Sequence, residues 1–155
     1  MSTGRLQSNV AEVFESLADA IGDREAIVFR DRRLTYDQVR ERSHRLANVL
    51  AGAGLGAHTP RSELANHQIG QDTVGLYLHN GNEYLEGMLG GYMARTAPFN
   101  VNYRYVAEEL VYLLTDSGAS AIIYHSAFAP TLAEVLPQLP KLKMLLQVAD
   151  DSGNE

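Results

Sequence analysis

The chain reads as an α/β protein, with a parallel or mixed sheet flanked by helices, and three observations lead there. From Thr73 onward, short apolar segments alternate with segments of helical period, and that alternation implies parallel pairing through right-handed crossovers. Turn and cap residues fall at the changes of period: Asn80-Gly81, Gly118, and Pro137 with Pro140. The bulk composition, 45% hydrophobic and 21% charged over 155 residues, is that of a globular chain with room for one domain or a piece of a larger one.

Asn9 is a good N-cap and Glu12 completes a capping box. Val10, Val13, Phe14, Leu17, Ala18 and Ile21 follow at helical spacing as an expected buried face, ending near Gly22. Ala26–Phe29 reads as a short strand, Asp31–Arg33 as a turn and Leu34-Thr35 as a return strand. Thr35 caps a second helix with Gln38 at the reciprocal position, and Tyr36, Val39, Leu46, Val49, Leu50 and Ala53 are its expected inner face. Gly54 to Asp72 is a polar connector of a length uncommon inside compact domains. This divides the chain into a helix–hairpin–helix over 9–53, the connector over 54–72 and an α/β layer over 73–149.

Within that layer, strand Val74–Leu78 leads to a helix over Asn82–Arg95 and an extended segment over Ala97–Val101. A helix over Ala107–Asp116, strand Ala121–Tyr124, a helix over Ala129–Leu136 and strand Leu142–Val148 follow. Val74–Leu78 and Ala121–Tyr124 should be buried parallel neighbours, with Leu76, Leu78, Ile122 and Ile123 in the core. The run Leu142, Met144, Leu145, Leu146 and Val148 suits a strand buried on both faces. An uncovered edge there would template self-association.

A net charge of −6 and a pI near 5.3 argue against a nucleic-acid partner, which rewards clustered basic residues. The two lysines, Lys141 and Lys143, make no polybasic patch, and the chain has no cysteine. The N-terminus has no apolar leader core and no window approaches a membrane span, so a cytoplasmic chain is expected.

Most apparent motifs have a plain structural reading. Gly52, Gly54 and Gly56 close a helix rather than open one after a strand, as a dinucleotide fingerprint must. Thr115–Ser120 lacks a lysine and runs from helix to strand, the wrong polarity for a phosphate loop. Gly87, Gly90 and Gly91 flatten one side of a helix for close packing. The five histidines show no zinc spacing and no G-x-S-x-G elbow is present. His79 and Asn80 lie at a parallel strand's carboxyl end, where α/β proteins hold ligands; the simpler assignment is a turn at Asn80-Gly81 with Asn82 as helix cap. Two readings fit Asn100-Val-Asn-Tyr-Arg-Tyr105: a ligand loop in which tyrosine stacks on a purine and arginine meets phosphate, or a solvated loop whose asparagines satisfy backbone groups.

The segments R-L-T-Y-D-Q-V (33–39), N-G-N-E-Y-L-E-G-M-L-G (80–90), A-P-F-N-V-N-Y-R-Y (97–105) and E-L-V-Y-L-L-T-D-S-G-A-S-A-I-I-Y (109–124), in this order and spacing, resemble the N-terminal part of the large domain of acyl-CoA synthetases, members of the adenylate-forming ligases. The resemblance implies activation of a fatty or other lipophilic carboxylic acid by ATP, assisted by magnesium, through an acyl-adenylate, then transfer to coenzyme A. The family's T-S-G-T-T-G-x-P-K-G loop, ribose-binding aspartate and catalytic lysine would lie beyond residue 155, so no catalytic residue is assigned and the chain alone is expected to be inactive. Some relatives place the coenzyme A nucleotide against the loop matching Asn100–Arg104, which transfers that contact to Asn102, Tyr103 and Arg104. The 56–72 segment is longer than the short G-D-x-V link of many relatives. The alternatives are a non-catalytic homologue acting as an interaction or oligomerisation module, and a flavodoxin-like nucleotide binder. The latter is disfavoured because H-N-G-N-E-Y after strand Val74–Leu78 offers no hydroxyl cluster for a phosphate.

Overall fold

The computed structural model describes residues 9–154. Helix α1 (Val10–Ile21) opens with the reciprocal Asn9–Glu12 capping box. The hairpin β1 (Glu25–Phe29) and β2 (Arg32–Thr35) forms a separate two-stranded antiparallel sheet. Its tip is Arg30-Asp31, with Arg30 at φ 51°, so Arg32 and Arg33 belong to the return strand rather than the turn. Helix α2 (Tyr36–Gly52) starts on the Thr35–Gln38 box.

The inner faces of these two helices match expectation in part, with Ala18, Val39 and Leu50 buried as expected. Val10, Val13 and Leu17 are 56, 52 and 43% exposed, whereas Ala11 and Ala18 are buried. On α2 the buried stripe is Val39, Ser43, Ala47 and Leu50, and Val49 is 46% exposed. In both helices small residues take the contact line, because helix axes approach closely only where side chains are short. Large aliphatics one position away are turned outward.

The connector is ordered and closed on itself. Gly56 N–H donates to Asp72 Oδ2 at 3.1 Å and Asp72 N–H to the Gly56 carbonyl at 2.8 Å. Ser120 Oγ donates to Asp72 Oδ1 at 2.8 Å, and His58 Nε2 contacts Asp72 Oδ2. Burial pushes the Asp72 carboxyl up, but the hydrogen bonds from His58, Ser120 and Gly56 outweigh it and hold it below the ordinary range. The loop is thereby tied to the amino end of the main sheet.

That sheet has four strands, all parallel: β3 (Thr73–Tyr77), β4 (Ala97–Asn100), β5 (Ala119–His125) and β6 (Met144–Val148), in the order β4-β3-β5-β6. Leu76 pairs with Ile123 and Gly75 with Ile122 in register. Leu76, Leu78, Ile122 and Ile123 are all at most 4% exposed, as the sequence predicts. Helix α3 (Asn82–Met93) joins β3 to β4, α4 (Ala107–Asp116) joins β4 to β5, and α5 (Ala129–Val135) joins β5 to β6. One core packs Leu110, Leu114, Leu132 and Val135 against Ile122; the other packs Leu46, Leu50 and Met88 against Leu76 and Ile123. Gly118, at φ 62°, closes α4 in the left-handed conformation that glycine adopts without strain.

Strand β6 is not buried on both faces. Its exposure alternates, with Met144, Leu146 and Val148 half-buried and the face carrying Leu145, 41% exposed, left uncovered; among the described residues β5 is its single strand neighbour. Asn82 is not a cap either. It is the first residue of α3, and its buried side chain donates to Glu86 Oε1 at 2.8 Å and accepts from Arg32 at 3.0 Å.

Candidate functional site

The strand order fixes where a ligand crevice can form. The path from β3 steps outward to β4, then returns across β3 to β5, so the connections leave β3 and β5 in opposite directions. In open α/β sheets the crevice beyond the carboxyl ends of such strands is the ligand site. Five ring-bearing residues converge there. Phe128, just after β5, stacks on Tyr77 with ring centroids 4.3 Å apart and lies 4.7 Å from His79. His79, two residues past β3, lies 4.9 Å from the Tyr103 ring and 5.6 Å from His125.

The loop after β4 hangs on Val101, which is 2% exposed and donates its N–H to the Leu76 carbonyl at 3.1 Å. Beyond it the chain turns outward. Asn102 Oδ1 accepts the Arg104 N–H at 3.0 Å and its carbonyl accepts the Tyr105 N–H at 3.0 Å. Asn100 Oδ1 accepts the Tyr84 hydroxyl. The asparagines therefore serve the backbone and a neighbouring helix, while Tyr103, 39% exposed, presents a ring face with the Arg104 guanidinium 5.2 Å from its centroid. A purine-sized face with an adjacent cation suits a nucleotide bearing phosphate.

The sequence singled out His79 and the Asn102–Arg104 loop but passed over His125 and Phe128. The signal that could have found them is positional: His125 closes the β5 apolar run and Phe128 lies in the turn after it, as His79 follows the run of β3. His125 is 9% exposed and its Nδ1 accepts the His79 backbone N–H at 3.0 Å. Burial, then the like charge of His79, push its imidazole below the ordinary value, against the opposing pull of Glu83 and Asp150.

Neither lysine of the chain sits at the crevice. Lys141 and Lys143 precede β6, and Lys143 N–H bonds the Ser120 carbonyl at the amino end of the sheet, opposite the crevice. Among the described residues no group of three or more His, Asp or Glu side chains could hold a metal, and no helix is long and apolar enough to cross a membrane.

A parallel α/β layer with its crevice at the strand switch defines a broad class of ligand-binding folds. Within it the family model described as AMP-binding enzyme matches residues 14–155, and the chain belongs to that family. It is 57% identical over 155 residues to the medium-chain acyl-CoA ligase Mig of Mycobacterium avium, covering all of this chain and 28% of the relative. It is 37% identical over 147 residues to the medium/long-chain-fatty-acid–CoA/3-oxocholest-4-en-26-oate–CoA ligase of Mycobacterium marinum, covering 95% of this chain and 24% of that one. The chain thus spans about a quarter of the length of these relatives and corresponds to their N-terminal portion.

Among solved structures, the N-terminal domain of FACL13 from Mycobacterium tuberculosis superposes with a TM-score of 0.78 at 22% identity, over 92% of this chain and 34% of that one. The anthranilate CoA ligase AuaEII in complex with anthranoyl-AMP gives 0.79 at 21%, over 91% and 25%. These two show the fold.

Proposed function

We propose that the chain is the N-terminal layer of a cytoplasmic fatty-acid–CoA ligase that forms acyl-CoA from a medium- or long-chain acid, ATP and coenzyme A with magnesium. Identity of 57% along the whole chain to a medium-chain acyl-CoA ligase carries this reading. The layer's own contribution is a scaffold and one face of the coenzyme A path, with Tyr103 and Arg104 against the nucleotide and Asn102 holding their turn. Transition-state stabilisation in adenylyl transfer needs cations and backbone donors placed around the phosphates, and this reading gives the layer no part in that step.

The test is a chimera in which this chain replaces the matching stretch of the M. avium ligase. It should form medium-chain acyl-CoA with both ATP and coenzyme A required, whereas the 155-residue chain alone releases no pyrophosphate. Arg104→Ala in the chimera should raise the KM for coenzyme A about fivefold with kcat little changed, the loss of roughly 1 kcal/mol from an exposed cation contact. A folded chimera that is inactive, or pyrophosphate release by the chain alone, overturns the assignment.

Strand β6 supports a second reading, an association module. Its outer edge has no strand neighbour among the described residues, and Leu145 is exposed. Sedimentation of the isolated chain should show concentration-dependent dimers that Leu145→Lys weakens; a monomer at high concentration with cooperative unfolding counts against it.

A further inference from the structure

The imidazole of His125 occupies an unusual position in the sheet. The β3–β5 register ends at Tyr77 opposite Tyr124, where the two chains diverge toward opposite connections. Two residues beyond Tyr77 the His79 N–H, which has left the ladder, is taken by His125 Nδ1 at 3.0 Å. A side chain thus supplies the rung that the backbone no longer can. His125 itself stays paired to Val148 through its backbone, so the acceptor is fixed to β5 and β6. Beside this bond the His79 ring lies 4.9 Å from Tyr103 and 4.7 Å from Phe128.

We propose that His125 is an acid-releasable clasp across the crevice: neutral, it holds the end of β3 to β5, and protonation at Nδ1 breaks the bond and frees His79, Tyr103 and Phe128 from one another. An imidazolium has no acceptor nitrogen, so the rung cannot survive protonation. The charges facing His125 are His79 at the end of β3 and, in a shared cleft of about 370 Å³, Glu83 on α3, Arg30, Asp31 and Arg32 at the hairpin tip, and Asp150 and Asp151 beyond β6. Glu83 and Asp150 favour the protonated ring; burial and His79 oppose it and prevail. The folded protein therefore binds this proton less readily than the unfolded chain. The clasp is fully closed above the ordinary value of 6.5 and opens as pH falls below it. The device would make the loop carrying Tyr103 and Arg104 looser in acid, whatever ligand that loop takes.

Nuclear magnetic resonance of the chain between pH 8 and pH 5 tests this. The His125 ring should titrate below 6.5, and the His79 amide and Tyr103 ring signals should move at the same midpoint. In His125→Asn the amide oxygen can accept the same N–H but cannot be protonated there, so both signals should stay fixed through the range. In His79→Gln the backbone donor remains and the like charge is gone, so the transition should persist with a higher midpoint. A His79 amide that ignores His125 titration overturns the clasp. So does a Tyr103 shift that survives in His125→Asn, or a residue-79 amide transition that vanishes in His79→Gln.

Discussion

A Gly90→Val chain is expected to melt about 6–12 °C below the parent, a loss of roughly 3 kcal/mol from overpacking in a protein of this size. A Cβ at Gly90 would lie 2.7 Å from Leu46 Cδ2, 2.9 Å from Cγ and 3.0 Å from Cβ. The methyl and Cγ could swing away by side-chain rotation into a poorer rotamer, but Cβ moves only with helix α2 itself. The α2–α3 contact is the most extensive in the molecule, and Leu46 also packs on the core around Leu76 and Ile123. Valine adds its branch to that obstruction and forces the helices apart, uncovering the sheet face beneath. Gly90→Ala should lose less, about 1–2 kcal/mol, because alanine's better helix propensity offsets part of the clash. Two controls separate packing from propensity. Leu46→Ala combined with Gly90→Ala should cost less than the two singles summed, since the truncated side chain vacates the space. Gly52→Ala, where nothing lies within 4 Å of the added Cβ, should be neutral or stabilising by about 0.5–1 kcal/mol. Calorimetry that finds Gly90→Val as stable as the parent would show that α2 and α3 do not pack through this glycine.

The glycine was legible in the sequence as a flat helix side; the partner it meets was not. That contrast runs through the chain. Local signals read well: both capping boxes, the closure at Gly118 and the β-α alternation each depend on residues a few positions apart, where geometry is set by the backbone. The buried neighbours β3 and β5 were legible because their apolar runs admit few other environments. What the sequence hid is non-local and polar. Asp72, His58 and Ser120 meet across up to 62 positions, and His79 meets His125 across 46; nothing in either neighbourhood names the other. Helix α1 misled for a different reason. Alanine is compatible with either face, so Val10, Val13 and Leu17 looked like the inner stripe together with Ala18, when Ala11 and Ala18 are the residues buried there. The site was half legible: strand ends marked His79 and Tyr103, and only the fold shows that Phe128 and His125 complete the cluster.

The second large effect concerns the ion pair between α2 and α3. Arg42 Nε and an Nη reach Glu86 Oε1 and Oε2 at 2.7 and 2.9 Å, a bidentate fork, and Asn82 donates to the same carboxylate at 2.8 Å. The side chain of Glu86 is 10% exposed and that of Arg42 40%. Arg42→Ala would leave a buried carboxylate facing a single amide donor. Removing one member of a fully buried pair costs about 3–5 kcal/mol; water reaching the Arg42 side screens this pair, so roughly 2–3 kcal/mol is expected here. Glu86→Ala should cost somewhat less, because the stranded guanidinium can turn to solvent, though Asn82 loses a partner worth about 1 kcal/mol. The decisive variant is the double replacement of Arg42 by Met and Glu86 by Leu. Apolar residues of similar volume relieve both desolvation penalties, so the double variant should be more stable than either single truncation, with the unpartnered Asn82 amide as the remaining cost. If the pair instead acts only as two independent surface charges, Arg42→Ala and Glu86→Ala will add, and Arg42→Ala alone will stay within about 0.5 kcal/mol of the parent. Because Arg32 of the hairpin bonds both Asn82 and Glu83, hydrogen exchange should report the damage first at the β1–β2 hairpin and the first turn of α3, next to the crevice, rather than at α4 or α5 on the far side of the sheet.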